Sequence, residues 1–592
     1  MTDVQHRLTQ FQDLATRWQK LVQAQIHQTA SGAPTVQIPD PDSIQNAFSH
    51  LLRALMERPE PVMRMQVGFW MDYAKLAQDA MAQFWLGKPL NDETPDKRFK
   101  DELWASNQMF AFMKQAYLMA SRHLQDGVAS VDGLDEHTAK QVAFYTRQFI
   151  GAMSPTNFAS TNPAVLKATL ESGGENLMQG LQQMMDDLER NGGRLMPRMT
   201  DLTAFKLGEN VATTPGKVVF QNDLMQLIQY TPTTEKVHQT PLLIVPPWIN
   251  KFYILDLKEK NSLIRWLVGQ GHTVFVISWV NPGAALRDKD FEDYMMEGPL
   301  AALDAIEAAT GEKQVNAAAY CIGGTLLSAT LAWMAAAGDK RYPASRIKSA
   351  ALFTTMIDFT DPGELGVFID EIQLKSIETY MDEKGYLEGH QMATVFNMLR
   401  ENDLIWSFVV NNYLLGREPM AFDLLYWNCD STRMPSAMHR FYLRKMYQQN
   451  LLCRPGGVTL HGVPIDMRKI KTPAYFISTR EDHIAPWQST YAGARLFAGP
   501  KRFVLGGSGH IAGIVNPPAA NKYGYTTHDI ELPAKPADWL VGATAHEGSW
   551  WNDWSAWVAP HCGKQVAARK PGGGKLKAIE DAPGSYVKAK LV

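Results

Sequence analysis

A cysteine stands where a predicted strand passes directly into a predicted helix. The apolar run Val315 to Tyr320 precedes Cys321, and an alanine-rich helical stretch follows from Gly324 to Ala337. A sharp turn of this kind, flanked by small residues, exposes a nucleophilic side chain above a sheet. The helix N-terminus directs its dipole and free N–H groups at the sulfur and so favours the thiolate. Taken alone, however, a cysteine between small residues is more often a buried core thiol.

An acid and a histidine follow this cysteine in the order that a nucleophile–acid–histidine triad requires. Asp482 comes just after one predicted strand, and His510 comes just after the next. Separately, Asp482 could be a turn residue or a helix N-cap, and His510 an ordinary loop histidine. Because both follow strands and keep the required order, the sequence favours a triad of Cys321, Asp482 and His510.

Two backbone N–H groups are candidates for stabilising a tetrahedral oxyanion. One belongs to Ile322, directly after the nucleophile. The other is expected from the loop after the strand Leu242 to Val245, at Trp248 or Ile249. A thiolate that attacks a thioester exchanges one thioester for another nearly isoenergetically, and the acyl group stays activated toward an alcohol. The choice of sulfur therefore predicts acyl transfer from an acyl-CoA rather than ester hydrolysis.

The strands that must position these residues lie after residue 200, where short apolar runs alternate with helices. Near-continuously apolar strands indicate a parallel sheet covered on both faces. The predicted strands, which begin with an adjacent pair, are Lys217–Phe220, Met225–Tyr230, Leu242–Val245, Thr273–Ser278, Val315–Tyr320, Lys348–Phe353, Ala474–Ser478 and Arg502–Leu505. This order of strands and site residues predicts an α/β fold of the α/β-hydrolase type over residues 201–592.

About 120 residues separate two of these strands, far too many for a single crossover helix. The segment at about 356–472 is rich in aromatic residues. An insertion at this point would cover the C-terminal edge of the sheet, where open α/β sheets place their sites. We interpret it as a cap.

Residues 1–200 have a helical pattern and form a predicted all-helical N-terminal domain. Two stripes of apolar residues recur at steps of three and four. They are Leu8, Phe11, Trp18 and Val22, and Phe110, Met113, Tyr117, Ala120 and Leu124. Packing within the protein is the favoured explanation of both stripes, and contact with a partner or hydrophobic body is the alternative. A linker is expected from about Thr29 to Pro41.

Composition narrows the class of protein. The chain has 592 residues, 45% of them hydrophobic and 20% charged, with a formal net charge of −3. This balance gives no reason to expect a nucleic-acid partner. The cysteines Cys321, Cys429, Cys453 and Cys562 show neither a disulfide framework nor a zinc pattern, so no metal site is predicted. No secretory signal or transmembrane segment is visible, and a soluble cytoplasmic protein is expected.

Several long blocks carry a resemblance that covers essentially the whole chain. They are Asn157–Pro163, Pro246–Leu257, Phe422–Asn428, Arg480–Ile484, Gly509–Gly513 and Ala582–Lys588. Through these blocks the sequence resembles the class I polyhydroxyalkanoate synthases. In that family the turn around the nucleophile reads G-x-C-x-G, so Ala319 is a departure at its first position.

The resemblance implies that (R)-3-hydroxyacyl-CoA, short-chain as in 3-hydroxybutyryl-CoA, is polymerised into polyester with release of CoA. The CoA thioester is then a substrate, and no cofactor is expected. Asp482 would either orient His510 or help to activate the 3-hydroxyl, and His483 and Asp256 become candidates for substrate binding. The resemblance also implies a homodimer formed through the cap, and contact of the N-terminal domain with phasins or cytoplasmic polyhydroxyalkanoate granules.

Two other functions remain open from the sequence. The first is hydrolysis by a thioesterase or polyester depolymerase on the same scaffold. The second is a granule-coating structural protein with a degenerate fold, which would be expected to have a broken triad.

Overall fold

The computed structural model describes residues 36–86 and 96–590, together with residues 9, 12–14, 16–21 and 23. The chain divides into two compact units. One comprises residues 1–201 and 394–421, and the other comprises residues 202–393 and 422–592. The sequence placed a division near residue 200, but it assigned 394–421 to the cap of the second domain, whereas in the structure this segment packs with the first unit.

The first unit is helical up to residue 201, as the sequence predicts. Side chains of Asp40, Asn107, Asp135 and Asn162 cap helix N-termini by accepting backbone N–H bonds. The helices are α1 (Pro41–Glu57), α2 (Glu60–Leu86), α3 (Leu103–Ser106), α4 (Gln108–Ala129), α5 (Glu136–Ala152), α6 (Pro163–Ser172) and α7 (Glu175–Arg190).

The second of the two predicted stripes lies on α4 and packs inside this unit. Phe110 is buried against Phe99 and Trp104, and Met113 and Tyr117 pack on the same cluster. The prediction that the stripe packs within the protein is therefore confirmed for these three residues. Most of the first stripe (Leu8, Phe11 and Val22) and most of the linker lie outside the described residues; Trp18 is helical and 53% exposed.

Residues 394–421 belong to the first unit because they lie directly against α7. The hydroxyl of Tyr413 donates to the buried carboxylate of Asp187 at 2.9 Å. Gly180 faces the backbone of Tyr413 so closely that a Cβ there would overlap its carbonyl group. Glycine is thus required at residue 180 for this contact.

The second unit contains seventeen strands in the described part of the chain. They are β1 (Gly216–Gln221), β2 (Met225–Tyr230), β3 (Lys236–His238), β4 (Leu242–Val245), β5 (Val274–Trp279), β6 (Val315–Tyr320), β7 (Ile347–Phe353), β8 (Tyr386–Leu387), β9 (Met434–Pro435), β10 (Thr459–Leu460), β11 (Val463–Pro464), β12 (Ala474–Thr479), β13 (Lys501–Gly506), β14 (Tyr525–Thr527), β15 (Thr544–His546), β16 (Gln565–Ala567) and β17 (Glu580–Asp581).

The unit is built on an eleven-stranded sheet whose order is β15-β14-β13-β12-β7-β6-β4-β5-β2-β1-β17. Strands β5, β4, β6, β7, β12 and β13 run parallel in that order, and antiparallel strands extend both edges.

All eight predicted strands are present, with ends that differ by one residue at most, and the opening pair is antiparallel. The core of the sheet is fully buried in β2, β4, β5, β6 and β12, which explains their uninterrupted apolar character. The strands that the sequence did not predict are two to three residues long and partly polar. They lack the period on which strand prediction depends.

The helices after residue 201 alternate with the parallel strands and fill the insertion between β7 and β12. They are α8 (Leu263–Gly269), α9 (Phe291–Met295), α10 (Ala301–Thr310), α11 (Ile322–Ala336), α12 (Glu371–Lys384), α13 (Gly389–Met398), α14 (Asp423–Cys429), α15 (Ser436–Phe441), α16 (Trp487–Arg495), α17 (Pro536–Leu540) and α18 (Trp550–Val558). None of the helices in the described part of the chain is both long and apolar enough to cross a membrane.

Helix α18 carries four tryptophans at helical spacing. Trp550, Trp551 and Trp554 are buried in the main core of the unit, and Trp557 packs against it. Core packing is therefore the role of these side chains. Two of the indoles also have a more specific use, which concerns the loop after β13.

We expect Gly180→Ala to destabilise the first unit by about 1–3 kcal/mol, because the added methyl group would displace the backbone at Tyr413. The matched control is Gly269→Ala on α8, where a Cβ meets no atom within 4 Å and φ is not positive. That control should be neutral or slightly stabilising. Calorimetric unfolding with hydrogen exchange resolved to peptides checks both variants. Equal stability of the two would contradict the close packing of residues 394–421 on α7.

Candidate active site

Cys321 occupies the single-residue turn between β6 and α11. Its φ is 53° and its ψ is −126°, a region that side chains other than glycine rarely adopt. Its N–H donates to the carbonyl of Phe353 at 2.9 Å, which ties the turn to β7. Strain of this kind persists only where the surroundings enforce it, and it is concentrated at functional sites. The predicted strand-to-helix turn is present, and its thiol is half-buried.

Two glycines after the cysteine allow α11 to approach the sheet. A Cβ on Gly323 would overlap the carbonyl oxygens of Val245 and Pro246, and a Cβ on Gly324 would overlap the side chain of Thr355. The start of α11 therefore lies directly on the loop after β4. Both positions require the absence of a side chain.

Ala319, the departure from the family pattern, has a different environment. It lies inside β6, fully buried, with Val245 on one neighbouring strand and Leu352 on the other. Because the residue belongs to the regular strand rather than to the turn, its methyl group is accommodated. The turn at Cys321 therefore forms with alanine at residue 319.

His510 and Asp482 form a buried hydrogen-bonded pair. The two atoms, Nδ1 of the imidazole and Oδ2 of the carboxylate, are 2.7 Å apart, and the residues are 6% and 8% exposed. The other carboxylate oxygen accepts the N–H groups of Ile484 at 2.9 Å and Ala485 at 2.8 Å. An ionised carboxylate only accepts, so Nδ1 carries a proton and Nε2 is left for proton exchange with another group.

Cys321 lies close enough to the same imidazole to influence its protonation. Burial lowers the pKa of His510, but Asp482 and then Cys321 outweigh it and raise this pKa to about 10. This direction favours the imidazolium form of His510 at neutral pH. The structure therefore brings together the three residues that the sequence predicted as a triad.

Tyr320, which the sequence analysis did not single out, holds the histidine in place. Its ring is stacked on that of His510, with centroids 5.4 Å apart and planes at 26°. Its hydroxyl donates to the His510 carbonyl at 2.9 Å. The indole N–H groups of Trp550 and Trp551 donate to the carbonyls of Gly513 and Ile514, at 3.0 and 2.9 Å. The loop after β13 is thus braced from two sides.

Two tyrosines from the insertion lie near the nucleophile. Burial raises the pKa of Tyr447, and the proximity of Cys321 raises it further; the same causes act on the pKa of Tyr442. Their rings meet edge to face at 5.3 Å, and Phe359 packs on both. These three rings form an aromatic wall, of which Tyr442 and Tyr447 lie near Cys321. Nothing in their spacing distinguishes them from core residues, so the sequence offered no signal for this position.

Of the predicted oxyanion donors, Ile322 directly follows the turn, and Trp248 and Ile249 lie on the loop after β4. Ile322 is the first residue of α11, so its N–H has no acceptor within the helix. Trp248 is buried; its indole donates to the sulfur of Met438 at 3.1 Å, and its carbonyl accepts from Thr432 at 2.5 Å. These bonds fix the loop that carries Ile249. The oxyanion role of the three backbone groups stays a prediction.

The two candidates for substrate binding differ in their surroundings. His483 directly follows Asp482 and is half-buried. Asp256 is 2% exposed, and its carboxylate accepts the hydroxyls of Thr214 at 2.5 Å and Ser262 at 2.6 Å. Through these bonds Asp256 connects the segments of the unit that carry Thr214 and Ser262. Substrate contact by either residue stays a prediction.

Comparison with known families agrees with this geometry. Residues 240–517 match the family model of the alpha/beta hydrolase fold. The class of protein is therefore one with the α/β-hydrolase fold, which confirms the predicted fold class, and Cys321 lies at its strand-to-helix turn.

The particular family follows from the rest of the chain. Residues 95–267 match the model of the poly-beta-hydroxybutyrate polymerase (PhaC) N-terminus. A poly(3-hydroxyalkanoate) polymerase of Methylorubrum extorquens is 50% identical over 93% of this chain and 90% of its own length. The PhaC subunits of the polymerases of Rhizobium meliloti and Cupriavidus necator are 51% and 45% identical, over 85% and 84% of this chain and 81% and 83% of theirs. The chain belongs to the poly(3-hydroxyalkanoate) polymerase family and is an acyltransferase, as its resemblance implied.

We expect Asp482→Asn to slow the alkylation of Cys321 by iodoacetamide at neutral pH by about tenfold or more. Loss of the carboxylate removes the main influence that raises the pKa of His510, and one pKa unit changes the ratio of imidazolium to imidazole tenfold. Mass spectrometry of the peptide that contains Cys321 measures the rate. Asp403→Asn, at an exposed carboxylate, is the control. An unchanged rate in Asp482→Asn would refute the coupling of the three groups.

Proposed function

We propose that the protein polymerises short-chain (R)-3-hydroxyacyl-CoA, such as 3-hydroxybutyryl-CoA, into polyester with release of CoA, as a class I enzyme. The observation that carries the proposal is the placement of His510 between the carboxylate of Asp482 and the sulfur of Cys321. Membership of the polymerase family supports the choice of substrate. The reaction then proceeds through an acyl group bound to Cys321.

Acylation begins with the thiolate of Cys321. The sulfur attacks the carbonyl carbon of the incoming thioester, and the negative charge moves to the carbonyl oxygen. The N–H groups of Ile322 and of the loop at Trp248 and Ile249 would stabilise that oxygen. When the bond to the CoA sulfur breaks, the imidazolium of His510 gives its proton to the leaving thiolate, and CoA departs as the thiol.

Elongation uses the same groups in the opposite direction. Neutral His510 takes the proton of a 3-hydroxyl group as its oxygen attacks the acyl thioester on Cys321. The carbon–sulfur bond breaks, an ester bond forms, and the cysteine leaves as a thiolate beside the imidazolium. Asp482 keeps Nδ1 protonated in both steps, so Nε2 is available for each transfer. Orientation of the histidine is the role that the 2.7 Å bond supports for Asp482.

Exclusion of water decides whether such an enzyme polymerises or hydrolyses its acyl group. Tyr442 and Tyr447 interact with Cys321, and Phe359 packs on both of their rings, so we expect this wall to present ring surface to the acyl group. An apolar wall disfavours a free water molecule at the acyl carbon, while the alkyl part of a hydroxyacyl unit packs on it. This arrangement supports transfer to an alcohol over hydrolysis.

The family also implies a homodimer formed through the cap, and a cytoplasmic location on polyester granules. Helix α2 supports contact with a hydrophobic body because it exposes a set of large apolar side chains. They include Met63, Val67, Trp70, Met71 and Met81, which are 59–67% exposed. Large apolar side chains exposed together on one helix indicate an interaction surface. Phasins are the protein partners that the family implies.

The central experiment incubates purified protein with (R)-3-hydroxybutyryl-CoA and follows CoA release, insoluble polymer and free acid. We expect CoA and polymer to appear together. Cys321→Ala should lower CoA release by at least about 10³-fold with the fold intact, because the nucleophile is lost. Cys429→Ser, at an exposed thiol, should retain the activity. Release of free acid without polymer would favour a hydrolase, and retained activity in Cys321→Ala would refute the nucleophile.

We expect Tyr447→Ala to raise the proportion of free acid among the products several-fold, because it opens the wall beside Cys321 to water. Phe422→Ala is the matched control, an aromatic residue of the same insertion that is 50% exposed. The ratio of free acid to polymer, measured at equal CoA release, separates the two variants. If both variants give the wild-type ratio, the wall does not exclude water.

A further inference from the structure

Two histidines and a cysteine meet at the edge of the sheet opposite to the nucleophile. His238 ends β3, His272 lies two residues before β5, and Cys562 follows α18. One ligand atom from each residue lies within 4.8 Å of the other two. Parallel β4, β5 and β6 begin at this edge, whereas Cys321 follows the last residue of β6. The cluster is therefore separate from the proposed active site.

The most buried member has an unused nitrogen. His272 is 3% exposed, and within the described part of the chain no hydrogen-bond partner reaches its Nδ1 atom. Its ring lies 4.8 Å from that of His238, centroid to centroid, at 42°. A neutral imidazole with a free lone pair is the form that binds a metal ion.

The other two members are suited to the same use. The thiol of Cys562 is fully buried; it donates to the Val558 carbonyl at 3.3 Å, and the amide of Asn316 lies 3.7 Å from its sulfur. His238 is half-buried, with the amide of Gln565 3.1 Å from its Nδ1. If the Gln565 amide is rotated by half a turn, its oxygen can accept a hydrogen bond from Nδ1–H of His238. An imidazole that binds a metal through one nitrogen commonly donates its other N–H to such an oxygen.

We propose that His238, His272 and Cys562 bind a Zn²⁺ ion. Two nitrogens and a thiolate form a donor set that this ion prefers, and solvent at the half-buried side of His238 would supply the fourth ligand. Tetrahedral coordination at the usual bond lengths separates such ligand atoms by about 3.3–3.7 Å, so the side chains would close by about 1 Å. The ion would displace the proton of Cys562, which passes to solvent.

The proposed ion would link segments that are distant along the chain. The N–H of Thr240 donates to the Cys562 carbonyl at 3.0 Å, that of Gln239 donates to Lys564, and β16 pairs with β3. The ion would reinforce this attachment of the C-terminal segment to the sheet. Burial, opposed by the cation of Lys348, raises the pKa of the Cys562 thiol to about 11, so this thiol carries its proton before an ion binds. Cysteine spacing alone predicted no metal site, since two of the three ligands are histidines, one at the end of β3 and one just before β5.

The test titrates the full-length protein, stripped of metal, with Co²⁺ and then with Zn²⁺. We expect one equivalent of Co²⁺ to bind with a cobalt–thiolate charge-transfer absorption that Zn²⁺ abolishes. Cys562→Ser should remove the band, whereas Cys321→Ser and Cys429→Ser should keep it. His238→Ala, at a partly exposed position, should weaken Co²⁺ binding at least tenfold with the fold intact. Zn²⁺ should raise the unfolding temperature of the wild type but not of Cys562→Ser.

Three results would overturn the proposal. They are absence of the charge-transfer band in the wild type, Co²⁺ binding without that band, and persistence of the band in Cys562→Ser. The wild-type titration decides the matter even if Cys562→Ser does not fold. Because Cys321→Ser lacks the proposed nucleophile and should still bind the ion, the outcome is independent of the proposed polymerase mechanism.

Discussion

Burial of the Asp482 carboxylate against an imidazole is the constraint on which the site depends. A carboxylate that is 8% exposed is costly unless its oxygens are paired, and here two backbone N–H groups and the ring of His510 pair them. The pairing fixes which nitrogen of His510 carries a proton. It therefore also leaves Nε2 as the nitrogen that does not bond to the carboxylate.

Much of the second unit serves to keep that pair and the nucleophile in register. Tyr320, one residue before Cys321, both stacks on His510 and bonds to its backbone, so nucleophile and base share a support. Indoles of α18 hold the far side of the same loop. The glycine at 323 lets the loop after β4 approach the nucleophile, which a side chain would prevent. Strain at Cys321 is maintained by these contacts together.

The insertion between β7 and β12 has two distinct uses. Its tyrosines at 442 and 447 lie near Cys321, whose proximity raises their pKa values. Residues 394–421, in contrast, pack with the helical unit on α7. One insertion thus contributes both to the surroundings of Cys321 and to the packing of the first unit. The proposed ion site at the opposite edge of the sheet would concern attachment of the C-terminal segment and not the reaction.

The sequence by itself determined the parallel strands, the turn at Cys321 and the order of Asp482 and His510, because apolar runs and the residues at their ends are local patterns. It did not indicate the support by Tyr320, the wall of Phe359, Tyr442 and Tyr447, or the position of residues 394–421. It also missed the short edge strands and the meeting of His238 and His272 with Cys562. Those features depend on which distant segments come together when the sheet forms. Local periodicity carries no record of such long-range contacts, so only the tertiary structure decided them.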